Sequence, residues 1–185
     1  MIYLKDKGKI FMRIFDYIQQ GGPVMYLLLV LNIIGFALLF WKTFLIVDAK
    51  KNFVGTLENL KTNLKSLVKV DDSSISLSIL KDEVQLTVHR LEVGLNTIKI
   101  IASIAPLLGL LGTVMGILSA FKVISDVGLS NPTLFAGGIS SALLTTVGGL
   151  IVSIPHLVGY NYLVGALDDY EIKLEKELTK EIYGK

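Results

Sequence analysis

Hydrophobic and polar positions in this chain separate into long blocks. No Asp, Glu, Lys or Arg occurs between Asp16 and Lys42, between Lys99 and Lys122, or between Asp126 and Asp168. A helix rises about 1.5 Å per residue, so about 20 predominantly apolar residues cross the hydrocarbon core of a bilayer. The first gap holds PVMYLLLVLNIIGFALLFW from Pro23 to Trp41, in which only Asn32 is strongly polar between Met25 and Phe40. The second holds Ile100 to Phe121, and the third has room for one span plus extra turns. The pattern predicts an all-α polytopic membrane protein with three transmembrane helices, at 23–46, 100–121 and 134–158. A soluble protein would need many more residues to cover three such helices. The first stretch is longer than the roughly 7–15 apolar residues of a signal peptide, and no A-x-A site follows it.

Between the spans the periodicity is helical. In KIFMRIFDYIQQ at 9–20, Ile10, Ile14, Tyr17 and Ile18 share a face, with Phe11 and Phe15 beside them. Arg13, Asp16, Gln19 and Gln20 lie away from it. Residues 1–22 therefore read as an amphipathic interfacial segment that Gly21-Gly22-Pro23 turns into the bilayer, with a disordered basic tail as the other reading. In the region 47–99, Phe53, Leu57, Leu60, Leu64 and Leu67 form one stripe. Leu77, Leu80, Val84, Val88, Leu91, Leu95 and Ile98 form another, expected to run without a breaker into the second span. Asp71, Asp72, Ser73 and Ser74 supply capping groups near its start. After a short connection at 122–133 and the third span, Leu163, Leu167, Tyr170, Leu174, Leu178 and Ile182 mark a C-terminal helix over 159–185. These stripes predict that spans two and three extend into a helical bundle; a coiled coil with a separate partner is the competing reading.

Composition agrees and narrows the function classes. Of 185 residues, 52% are hydrophobic and only 18% charged, which sets the chain apart from soluble domains and from disordered ones. A formal charge of +2 with no dense basic patch argues against nucleic acid. There is no cysteine, so disulfides and thiolate metal sites are excluded. Thirteen of the eighteen basic residues fall from Lys42 to Lys99 inclusive or from Lys173 onward, two regions that three spans place on one side. That side is expected to be cytoplasmic and the N-terminus outside, with Lys5, Lys7, Lys9 and Arg13 running against the trend.

The second and third spans are rich in small and hydroxyl side chains. Ala105, Gly109, Gly112, Gly116 and Ala120 recur at steps of three and four, and Gly148 and Gly149 lie in the third span. Lipid tails are as apolar as leucine, so membrane helices associate through close backbone approach, which small residues permit. Thr113, Ser141, Thr145 and Thr146 read as hydroxyls lining an ion path, or as groups that bond the carbonyl four residues back or glue helices together. Pro106 and Pro155 are expected to kink their helices, each freeing a carbonyl one turn earlier. His156 has the chemistry to shuttle protons, but its place near the end of the third span better fits a solvated or hydrogen-bonded histidine, and His89 reads the same way. Trp41 and Tyr160 suit interface anchors. No carboxylate pair, metal-ligand cluster, nucleophile–base arrangement or phosphate loop is present, so neither enzyme activity nor a bound metal or cofactor is expected.

The strings A-P-L-L-G-L-L-G-T-V-M-G-I at 105–117 and F-A-G-G-I-S-S-A-L-L-T-T-V-G-G-L-I-V-S-I-P at 135–155 resemble the ExbB/TolQ/MotA family, the multi-helix subunits of ion-driven motors in bacterial inner membranes. The three-span order matches its ExbB and TolQ branch. The resemblance implies a homopentamer whose second and third helices surround a pore. It also implies a dimeric single-span partner of the ExbD or TolR kind carrying a titrating Asp, and delivery of work through a TonB-like or TolA-like protein. By motif position Thr113 and Thr146 match the family's hydroxyls. Ser141 stands where G-I-A-E-A-L-type relatives carry Glu, and no Asp or Glu lies inside any predicted span. The titrating group is then expected from a partner, or this pore does without one. Hydroxyl and carbonyl oxygens suit Na+ as well as H+, the ion the family implies. A Tol-like role in the envelope, or a membrane scaffold that only packs, are the alternatives to TonB-dependent transport.

Overall fold

The structure is a computed structural model and describes residues 15–67, 73–129 and 132–183. Every ordered element among them is helical: residues 15–20, then α1 (Gly22–Lys51), α2 (Phe53–Leu67), α3 (Ser73–Glu92), α4 (Leu95–Val127) and α5 (Pro132–Tyr183). Of these, α1, α4 and α5 are long and apolar enough to cross a membrane. The protein is thus all-α and polytopic, as the charge gaps imply. Residues 9–14 of the amphipathic stretch, Asp71, Asp72 and Lys185 lie outside the described residues.

Glycines end the helices. Gly21 N–H donates to Tyr17 O at 3.0 Å, and Gly22 at φ 64° redirects the chain into α1. Gly128, at φ 74° with its N–H 2.8 Å from Ile124 O, stops α4 in the same way. Pro132 opens α5, where its missing N–H costs nothing. One expectation is corrected. The stripe from Leu77 to Ile98 does not belong to a single helix, because α3 stops at Glu92 and Gly94 takes φ 95° before α4 begins. Glycine tolerates that left-handed turn, and Nζ of Lys42 donates to Leu91 O at 3.1 Å, satisfying a carbonyl that a continued helix would have used. The apolar seam survives the break, with Val88, Leu95 and Ile98 all buried.

The described chain divides into two compact units. One takes residues to Phe36 with Lys99–Leu157, the other Ala37–Ile98 with Val158 onward. In the first, α1 and α5 run parallel, since Gly148 faces Met25 and His156 lies over Gly35. Helix α4 runs antiparallel to α5, pairing Ala102 with Ser153, Ala105 with Gly149 and Ala120 with Gly138. Leu28, Ile101, Ala105 and Val152 form the buried core between them. In the second unit the stripes read from sequence are buried: Leu60 on α2, Leu80, Val84 and Val88 on α3, and Leu163, Leu167, Tyr170, Leu174 and Leu178 on α5. The rings of Phe53 and Tyr170 meet edge to face at 5.9 Å.

Pro106 and Ser153 explain one another. Proline lacks the N–H that would bond the carbonyl four residues earlier, so Ala102 O has no donor within α4. The hydroxyl of Ser153 on α5 supplies it at 2.6 Å, and this side chain is buried. Ser153→Ala should therefore cost about 1–2 kcal/mol, read as a lower thermal midpoint in detergent. Ser103→Ala should cost little, because that exposed hydroxyl only repeats a bond to Lys99 O in its own helix.

Beyond the charge-free stretch, Glu171 is held above the usual carboxylate range by burial, and further by Glu175, Asp168 and Glu92. A carboxyl raised on folding weakens the fold when ionised, and that penalty fades as pH falls through its folded value. Glu171→Gln should raise the thermal midpoint at neutral pH, by under about 1 kcal/mol given solvent screening. The difference from wild type should shrink on acidification, as melting curves across a pH series will show.

Candidate functional site

Where α4 and α5 pass closest, three hydroxyls converge on two carbonyls. Thr113 Oγ1 lies 3.1 Å from Ala142 O and 3.2 Å from Gly109 O. Thr145 Oγ1 lies 2.7 Å from Ala142 O and 3.2 Å from Gly109 O, with its side chain buried. Thr146 Oγ1 lies 3.3 Å from Gly109 O, and the hydroxyls of Thr113 and Thr146 bond directly to each other. Each hydroxyl has one proton to donate and two lone pairs to accept with. The three protons therefore have more acceptors than they can use at once. One pattern sends Thr146 to Thr113 and Thr113 to Ala142 O; another sends Thr146 to Gly109 O. The cluster can exchange patterns with both helices in place.

Glycine makes this contact. A Cβ on Gly109 would stand 2.8 Å from Thr145 O, and one on Gly149 would stand 2.6 Å from Ala105 O. Both encounters are with backbone, which cannot swing aside. Gly112 faces the Thr145 side chain and Gly116 faces Ala142 and Gly138 O. Gly148, one residue from Gly149, instead packs on Met25 of α1, so α5 uses adjacent glycines toward two different neighbours.

The structure brings Thr113, Thr145 and Thr146 together and engages Ser141 elsewhere. The Ser141 hydroxyl donates to Gln20 O at 2.6 Å, holding the C-terminal end of the helical segment 15–20 against α5. Pro106 and Pro155 both lie inside continuous helices. His156 is hydrogen-bonded rather than solvated: it is fully buried, with Nδ1 2.6 Å from Val152 O and its ring 4.8 Å from that of Phe36. Trp41 is 64% exposed. Sequence reasoning passed over Lys42, whose capping role depends on a carbonyl 49 residues away. Asn32 was visible as the one strongly polar side chain between Met25 and Phe40, and its amide oxygen is buried without a partner among the described residues.

Outward from the seam, α4 exposes Leu107, Leu111, Val114, Leu118 and Phe121, and α5 exposes Leu143, Val147, Leu150 and Ile154. Such contiguous apolar faces are normal against lipid or against further membrane helices. No group of three or more His, Cys, Asp or Glu that could hold a metal ion occurs among the described residues.

A family model described as the MotA/TolQ/ExbB proton channel family matches residues 55–176. The chain is 38% identical over 92 residues to the biopolymer transport protein exbB1 of Vibrio cholerae, a match that covers 49% of this chain and 40% of that protein. It is 33% identical over 129 residues to an ExbB homolog of Methanothermobacter thermautotrophicus, covering 69% and 43%. To ExbB of Aquifex aeolicus it is 47% identical over 70 residues, covering 38% and 47%. The chain thus spans less than half the length of each of these relatives. The family match takes in α3, α4, the Thr113–Thr146 seam and most of α5, and this chain belongs to the MotA/TolQ/ExbB proton channel family.

Proposed function

We propose that this chain is an ExbB-like subunit of an ion-driven, energy-transducing motor in the bacterial inner membrane. Five copies form a sleeve through the exposed apolar faces of α4 and α5, around a dimeric single-span partner of the ExbD kind. The N-terminus lies in the periplasm and the C-terminus in the cytoplasm. The partner supplies an intramembrane Asp, H+ moves past it, and a TonB-like protein carries the work to transport across the outer membrane.

The carrying observation is the Thr113–Thr146 hydroxyl pair, joined across the charge-free stretches of two helices at the residues where the family motifs coincide. A hydroxyl cannot take up a proton near neutral pH, but it can pass one along or coordinate it while a neighbour titrates. The degenerate bonding of Thr113, Thr145 and Thr146 to two carbonyls supports such a role, since the pattern shifts without opening the seam. The same bonds also suit a scaffold that only packs, which gives that reading its one specific support.

Replacing both Thr113 and Thr146 by Val separates the two. The motor reading expects ion-driven uptake to fall at least about tenfold, with the oligomer and its partner intact by native mass spectrometry. Replacing both by Ser, which keeps the hydroxyls, should restore most of the activity. Full uptake in the double Val variant would leave these hydroxyls with packing alone, and a stable monomer in native membranes would remove the sleeve.

A further inference from the structure

The helical segment 15–20 is tied to α5 by one side-chain hydrogen bond. Gln20 stands at the end of the segment, where the last carbonyls of a helix lack donors along their own axis. The hydroxyl of Ser141 on α5 donates to Gln20 O at 2.6 Å, and that bond is exposed. Gly21 then closes a turn with its N–H on Tyr17 O, and Gly22 redirects the chain into α1 at φ 64°, with open space where a side chain would stand. Met25 fills the inside of the turn. A Cβ on Gly21 would stand 2.8 Å from its Cε, and one on Gly148 of α5 would stand 2.8 Å from its Sδ. Of the apolar side chains the segment presents, Phe15 is 52% exposed and Tyr17 49%, while Ile18 is half-buried.

Tyr17 and Ile18 form one wall of a crevice of about 410 Å³, with Leu28 and Leu29 of α1 and Leu144 and Ile151 of α5 among its other walls. Leu29 and Ile151 are themselves exposed, so the crevice lies at the lipid-facing surface. Lipid tails are as apolar as leucine, so moving Tyr17 and Ile18 from α5 to the edge of the bilayer hydrocarbon changes their free energy little. What differs between the two places is the bond to Ser141, which interfacial water replaces on release. The net effect of one such bond is roughly a threefold to tenfold ratio of populations. Two positions separated by so little exchange.

We propose that segment 15–20 is a strap, hinged at Gly21–Gly22, that exchanges between α5, where Ser141 is its catch, and the membrane interface. Docked, it walls the crevice between α1 and α5; released, it leaves that side to lipid. The catch sits one residue from Ala142, whose carbonyl accepts from Thr113 and Thr145, so the strap is fastened beside the hydroxyl seam without taking part in it. Ser141 is then a positioning residue for the N-terminal segment. The device neither requires the motor reading nor follows from it.

The chain has no cysteine, so Gln19→Cys with Asp126→Cys places spin labels at two exposed sites alone, one on the strap and one near the C-terminal end of α4. With labelled chain diluted in unlabelled chain in lipid bilayers, double electron–electron resonance should show two distances, docked and released. Ser141→Ala should shift their ratio toward release by roughly threefold or more. Ser141→Thr, which keeps the hydroxyl, should hold the ratio close to that of the unsubstituted position. Thr113→Val should leave it unchanged, which separates the strap from the proposed ion path. Distances that Ser141→Ala leaves in place, whether one or two, would make the segment a fixed part of the fold and overturn the proposal. An equal shift in Ser141→Ala and Ser141→Thr would overturn it as well, since the hydroxyl would then not be the catch.

Discussion

Everything in the first unit depends on how near α4 and α5 can bring their backbones. In water, burying leucine drives helices together; in lipid that gain is absent, and association rests on contact and hydrogen bonds. Gly109 and Gly149 each pass so close to the opposite helix that a single added carbon would meet a backbone oxygen within 2.8 Å. That distance lets side chains as short as Thr and Ser reach carbonyls of the facing helix. Thr113 reaches Ala142 O, Thr145 reaches Gly109 O and Ser153 reaches Ala102 O only because nothing larger than hydrogen separates the helices at the glycine positions.

The proline in α4 is part of the same economy of donors. Inside a bilayer every backbone carbonyl without a partner carries a cost of several kcal/mol, so a proline needs compensation from a neighbouring helix. Ser153 provides it at Ala102, one turn before Pro106. Near the Gly94 break the compensating donor is a charged one. Lys42 spans 49 residues of sequence to cap Leu91, and its carbon chain lies against Gly94, where a Cβ would stand 3.2 Å from Cε. A long amphipathic side chain can bury its stem and still deliver an ammonium to a helix end, which suits a position where an apolar stretch gives way to a polar one.

Much of this was legible in the sequence, for reasons that differ from residue to residue. The three long apolar helices follow from charge gaps, because an unpaired charge in lipid is costly and an empty stretch of more than 20 residues rarely arises otherwise. The stripes through Leu80, Val84 and Val88, and through Leu163, Leu167 and Leu174, follow from the helical period alone. The break at Gly94 was hidden, because the stripe keeps its phase across it and glycine inside a helix is tolerated. The carbonyl freed there is capped by the distant Lys42, and no local pattern encodes a partner 49 residues away. Ser141 was equally opaque, since its acceptor is a main-chain oxygen, which has no sequence signature. Thr113 and Thr146 were nameable from the family motifs. Their direct bond required the antiparallel register of α4 and α5.

The two seams of α5 solve the same problem with opposite chemistry. Toward α4, acceptors outnumber the available protons, and three hydroxyls share two carbonyls in more than one pattern. Toward α1 the contact is packing: Gly148 meets Met25, Gly35 meets the ring of His156, and that ring spends its Nδ1–H on Val152 O of its own helix. Gly148 and Gly149 set these two surfaces side by side, one against Met25 and one against Ala105, so α5 is in contact with both at nearly the same height. Helix α5 therefore carries a hydrogen-bonded face toward α4 and a packed face toward α1, and the packed face holds the imidazole of His156.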